Sequence, residues 1–135
     1  MCASKVAAGK QRGWIIPIGG AEEQENAPQI PKRFVQVTTD TGGGQADNVV
    51  IPTASHLRRT GPRERRIFGD LGVRCVTALD FETRRDCEEP RRIDCLQRAS
   101  GVCFSGGNPL RLSTLLGATK AAVSSCRPMP TAKGL

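Results

Sequence analysis

Tyrosine is absent from this chain, and tryptophan and histidine occur once each. Single-stranded nucleic acids are held by stacking bases on aromatic rings, so four phenylalanines and one tryptophan leave little from which to build such a surface. The lone histidine, His56, and six cysteines with no C-x-x-C pair among them offer no metal-ligand spacing. No apolar run approaches the roughly 20 residues a membrane-spanning helix needs, and the opening MCASKVAAGKQRGW has no apolar segment of signal-peptide length. These absences predict a cytoplasmic chain without membrane contact, cofactor or metal, its thiols reduced.

One motif is also missing. A hydrolase serine on a parallel sheet sits in a Gly-x-Ser-x-Gly elbow, where the glycines permit the tight strand-to-helix turn that exposes the hydroxyl. Ser105, in GVCFSGGNPLRL, has Gly107 two residues after it but Cys103 two before, and no other serine fits better. Ser105 therefore reads as a strand-end residue. His56, following PTAS, has neither nucleophile nor orienting acid beside it and reads as a loop histidine. Residues 38–48, TTDTGGGQADN, lack the G-x-G-x-x-G spacing of a dinucleotide loop and read as a helix-to-strand connection.

What the chain does have is length and pattern for one compact domain: 135 residues, 38% of them hydrophobic, with a net charge of +7. The densest basic run, LRRTGPRERR at 57–66, reads as a solvated helix face, because neither a recognition helix nor stacking aromatics accompany it. No nucleic-acid partner is expected. Short apolar, β-rich runs recur as GWIIPIGG, NVVIPTAS, GVRCVTALD and GVCFSGG, and between them 27–38, 61–72 and 88–99 can be helical, the first despite Pro28 and Pro31. In 88–99, Ile93, Leu96 and Ala99 share a face that Arg91, Arg92 and Arg98 avoid. Strands alternating with helices predict a parallel sheet covered on both faces, with ligands at the carboxyl ends of its strands. That places GGAEE, PTAS and SGGN on one rim.

The motifs IPIGGAEE, VVIPTAS, FGDLGV and GVCFSGGNPLRLSTLLGAT, in this order and spacing, resemble the cyanophycinase family, serine peptidases related to an aspartyl dipeptidase. The resemblance runs from about Gly13 to Thr119 and covers the N-terminal half of that domain. It implies a three-layer α/β/α fold like that of the class I glutamine amidotransferases, a flavodoxin-like arrangement, usually as a homodimer. The implied reaction is hydrolysis of cyanophycin, a polyaspartate carrying arginine on each side chain, to β-Asp-Arg dipeptides. It also implies that the Gly106-Gly107 turn faces the nucleophile and offers a backbone N–H to the oxyanion, with Asn108 beside the substrate, and that Glu22 matches an acidic rim position. Glu22 reads equally well as a loop carboxylate capping a helix.

The chain also departs from the pattern. The family carries an acidic residue and then a substrate-contacting Gln after the paired glycines, where this chain has Asn108 and Pro109. Arg84 and Arg85 match a position where relatives often have arginine, although a surface role is the default. From residue 121 the sequence AAVSSCRPMPTAKGL replaces the expected nucleophile strand, and Pro128 and Pro130 are poor material for one. Residues 1–12 thus read as an extension, 13–119 as the first half of a hydrolase domain, and 120–135 as a divergent tail for which a frameshift, a sequencing error and a real truncation are the candidate origins. Two functions stand on this reading: an inactive portion of a serine-type exopeptidase, completed by a C-terminal chain, and a non-catalytic binding or subunit module of the same fold.

Overall fold

A computed structural model describes residues 14–18, 29–41 and 46–126. Its centre is β1 (Asp47–Ile51), buried at four of five positions. A strand covered on both faces needs no polar side, which is why DNVVI is apolar without interruption after its second residue. Strand β2 (Cys75–Ala78) pairs with it in parallel on one edge and β3 (Gly101–Phe104) on the other, giving the order β2-β1-β3. The register sets Val50 beside both Ala78 and Cys103.

Alternation along the strands then divides the core in two. Val49 and Ile51 join Ile93 and Leu96 of α3 (Pro90–Arg98) and Ala121 of α5 (Lys120–Ser125). Val50 joins Phe34 of α1 (Gln29–Thr41) and Phe68 of α2 (Thr60–Asp70) on the opposite face. The expected three-layer α/β/α architecture is therefore present. The arginine-free face of α3 is the buried one, with Ile93, Leu96 and Ala99 all in the core.

Local chemistry explains the element ends. Pro31 falls in the first turn of α1, where its missing N–H is not needed by the helix. Gly72, at φ 88°, ends α2: its N–H donates to the Gly69 carbonyl and that of Val73 to the Phe68 carbonyl, a Schellman closure. Lys120 at the start of α5 donates its backbone N–H to Glu88 at 2.9 Å, and its ammonium lies 3.3 Å from the same carboxylate. The carboxylate thereby meets the positive end of the helix, and these contacts hold Glu88 below the usual carboxylate range.

One expected strand is not formed. In GWIIPIGG, residues 14–18 have no regular structure, with Trp14 79% and Ile15 82% exposed and only Ile16 packed against the core. Pro17 removes the central ladder donor of that run, so apolar composition alone does not seat it in the sheet. Glu22, the glycines of 42–44, and Pro128 and Pro130 lie outside the described residues.

Candidate functional site

The strand order reverses at β1. Its connection enters α2 on one face, whereas β3 leads into α4 (Pro109–Leu116), whose Leu112 and Leu116 join the opposite core. Adjacent strands whose connections diverge leave a crevice at their carboxyl ends, the usual ligand position in such sheets. Two loops border it, residues 52–59 after β1 and residues 105–108 after β3.

These loops are fastened to each other by the backbone. The Ser105 N–H donates to the Ile51 carbonyl at 3.1 Å, carrying the ladder one step past β3, and the Asn108 N–H donates to the Ala54 carbonyl at 2.8 Å. Gly107, at φ 151°, lies directly on the first loop; a Cβ there would collide with the Ala54 carbonyl. No other residue type satisfies both the dihedral angle and the closeness. Asn108 caps α4 by accepting from the Leu110 N–H at 2.9 Å, and Pro109 occupies the first turn, where it spares a donor the helix does not use. The Gly106 and Gly107 amides donate to no described residue. Two adjacent amides of this kind can stabilise an oxyanion.

Behind the rim, Thr53 is fully buried and ties the end of β1 to the segment after β2 and to α4. Its hydroxyl accepts from the Phe81 N–H at 2.9 Å and donates to Asp80 at 3.3 Å, while its carbonyl accepts from Arg111 Nε at 2.8 Å. Arg92 donates to the Asp80 carbonyl and lies over the Phe81 ring at 5.6 Å. Sequence reasoning passed over both Thr53 and Arg111; a threonine directly after a buried apolar run was the available signal.

The structure thus brings Gly107 and Asn108 against Ala54, with Gly106 exposed just before them. It places His56 exposed on the first loop and Ser105 almost wholly buried, with its Oγ unpartnered. Arg84 is exposed and points away from the crevice chemistry: its guanidinium caps the end of α4 through the Thr114 carbonyl at 2.8 Å and the Gly117 carbonyl at 3.0 Å. Arg85 is exposed. On the α2 side, burial raises Glu64 to about 7, partly opposed by Arg63, and burial together with the Glu64 charge raises the Cys103 thiol to about 12. No group of residues able to hold a metal occurs among the described residues. No helix among them is long and apolar enough to cross a membrane.

The layered parallel sheet is similar in fold to the crystal structure of a peptidase from an acI-B1 Actinobacterium, which superposes with a TM-score of 0.61 at 20% identity, over 74% of this chain and 44% of that one. No family model matches the chain. Among curated proteins it is similar to the cyanophycinase of Synechococcus elongatus, 39% identical over 109 residues, 80% of this chain and 33% of that protein. The cyanophycinase of Trichormus variabilis is 34% identical over 106 residues, 78% of this chain and 35% of that protein. That of Geminocystis herdmanii is 30% identical over 109 residues, 80% and 39% of the two chains. The chain is a relative of the cyanophycinases, as its four motifs indicated, and spans a third to two fifths of their length.

Proposed function

We propose that this chain supplies the sheet and the oxyanion side of a cyanophycinase-like serine-type exopeptidase in the cytoplasm, which releases β-Asp-Arg dipeptides from cyanophycin. The observation that carries the reading is the Gly106-Gly107 turn, clamped on Ala54 at the crevice with two amides free of described partners. In an acyl transfer, such amides receive the charge that develops on the carbonyl oxygen. Nucleophile and base come from elsewhere, because no serine of the 135 residues sits in an elbow and the sole histidine is an exposed loop residue. A complementing C-terminal chain is the partner that supplies both; a homodimer is the family's usual assembly. Alone, the chain is inert.

The alternative is a non-catalytic binding or subunit module. Pro109 favours it, since it stands where the family places a substrate-contacting Gln.

The test is to fuse residues 1–119 to the remaining length of the Synechococcus elongatus cyanophycinase and to follow dipeptide release from cyanophycin. Release by the fusion and none by the 135-residue chain is expected. A folded fusion that binds polymer without cleaving it would favour the binding module, and cleavage by the chain alone would overturn both readings.

A further inference from the structure

The sequence that forms β3 carries no device that protects a sheet edge: from Gly101 to Asn108 there is neither a charged residue nor a proline. Yet β3 is the last strand on its side of the order β2-β1-β3, so among the described residues its outer edge is unpaired.

Hydrogen-bond phase identifies the groups on that edge. The Ser105 N–H donates to the Ile51 carbonyl, so Ser105 and, at steps of two, Cys103 and Gly101 turn their peptide groups toward β1. The same alternation holds on β1, where Ile51 serves β3 and the Val50 carbonyl accepts from the Leu79 N–H on the β2 side. Val102 and Phe104 therefore present their N–H and C=O groups outward. Phe104 lies beside Ile51 in the register, but it is 42% exposed where Ile51 is fully buried. A neighbour on the open edge would cover that ring.

Handedness decides how such a neighbour is reached. The step from β1 to β2 passes through α2 on the Phe68 face, and the step from β2 to β3 runs the other way through α3 on the opposite face. Opposite directions on opposite faces give both crossovers one hand, the right hand that such units adopt. Helices α4 and α5 leave β3 on the α3 face, where Leu112, Leu116 and Ala121 join the core. A right-handed continuation from that face steps beyond β3, onto the open edge.

We propose that the outer edge of β3 is the docking surface for a parallel, apolar strand of the complementing C-terminal chain, hydrogen-bonded to Val102 and Phe104. Length and composition choose the occupant. The relatives extend well beyond the third to two fifths of their length matched here, whereas Pro128 and Pro130 make the rest of this sequence poor strand material. Main-chain bonds give such a contact its affinity, and alternation sets the partner's side chains beside Val102 and Phe104 on one face and Cys103 on the other. A strand parallel to β3 ends at the crevice, so the turn that follows it comes to lie beside Gly106 and Gly107. That the strand belongs to the chain bearing the nucleophile rests on the functional reading; the open edge does not.

Amide exchange followed residue by residue tests the docking. In the 135-residue chain, Val102 and Phe104 should exchange fast and Cys103 slowly. In the fusion of residues 1–119 to the remaining Synechococcus elongatus sequence, the two outward amides should slow at least about tenfold. Co-expression of the 135-residue chain with that remaining sequence as a separate chain should give a one-to-one complex with the same protection. Phe104→Pro removes an N–H that the β1 ladder does not use, and should abolish the complex while Cys103 stays protected; Phe104→Lys, an edge charge, serves if the proline variant does not fold. Unchanged exchange in the fusion, no complex on co-expression, or a complex that survives both variants overturns the proposal. Protection that rises with the concentration of the 135-residue chain alone names a second copy as the occupant and overturns it too. Protection without dipeptide release overturns the enzyme reading only. Dipeptide release by an assembly whose Val102 and Phe104 amides still exchange fast overturns the docking only.

Discussion

The two faces of the sheet were built by the same strands, yet they differ in how completely they are finished. Against α3 and α5, ten residues form a buried cluster, and the polar groups around it are matched: Arg84 caps α4, Glu88 receives the start of α5, and the Thr119 hydroxyl donates to the Leu116 carbonyl at 2.6 Å. Against α1 and α2, among the described residues, four residues form the corresponding cluster, and Asn48, Glu64 and Ser105 keep buried polar atoms without described partners. Trp14 and Ile15 lie exposed nearby in sequence to the Ile16 that packs there. The first face resembles an interior designed for stability. The second retains unmatched chemistry, and unmatched buried chemistry is where binding energy is available.

The sharpest way to break this comparison is to remove packing from the finished face. Leu96→Ala should cost about 2–5 kcal/mol in a urea or thermal melt, because Leu96 is 2% exposed within the larger cluster. Val73→Ala in the smaller cluster should cost less; equal losses would mean the two faces are equally built. Gly107→Ala follows, with a loss on the order of 1–3 kcal/mol from backbone strain. Amide shifts at Ala54 and Ser55 should report the displaced loop.

Smaller effects separate the faces by charge. Glu88→Ala should loosen the start of α5, visible as faster hydrogen exchange over residues 121–125. The pH responses should have opposite signs. Glu64 is raised to about 7 from an unfolded value near 4.5, so its contribution is fully present at acid pH and is lost as pH rises from about 4.5 through 7. Glu88 and Asp86 are lowered, the latter chiefly by the Thr83 backbone N–H, so theirs is present near neutral pH and is lost as pH falls through the acid range. Melts recorded from pH 4 to 8 should show Glu64→Gln losing the first slope and keeping the second. A Glu64→Gln profile superimposable on the parent would remove the titrating carboxylate from the second face.

Much of the architecture was legible because burial leaves a period in the sequence. The continuous apolar run of β1 and the Ile93, Leu96, Ala99 stripe of α3 could be placed directly. The glycine turn at Gly106 and Gly107 announced a rim. Other features follow from tertiary partners that no local pattern encodes. Trp14 to Ile18 has strand composition and lacks a seat; α5 is six residues whose stability comes from Glu88, Thr119 and the buried Ala121. Glu64 looked like one charge in an arginine-rich solvated helix, and the run 57–66 does expose Arg58, Arg59, Arg65 and Arg66. The position of Gly61 against Pro52 and the buried Oε2 of Glu64 show that this is the member turned inward.

Gly107 has one more consequence, for the history of the gene. Every single-base change that alters a glycine codon without ending translation installs a residue with a Cβ, and every Cβ at this position meets the Ala54 carbonyl. No one-step missense path therefore leads away from glycine with the two loops still in contact. While the crevice is under selection this codon can drift only silently, and a lineage that has replaced it has already abandoned the rim.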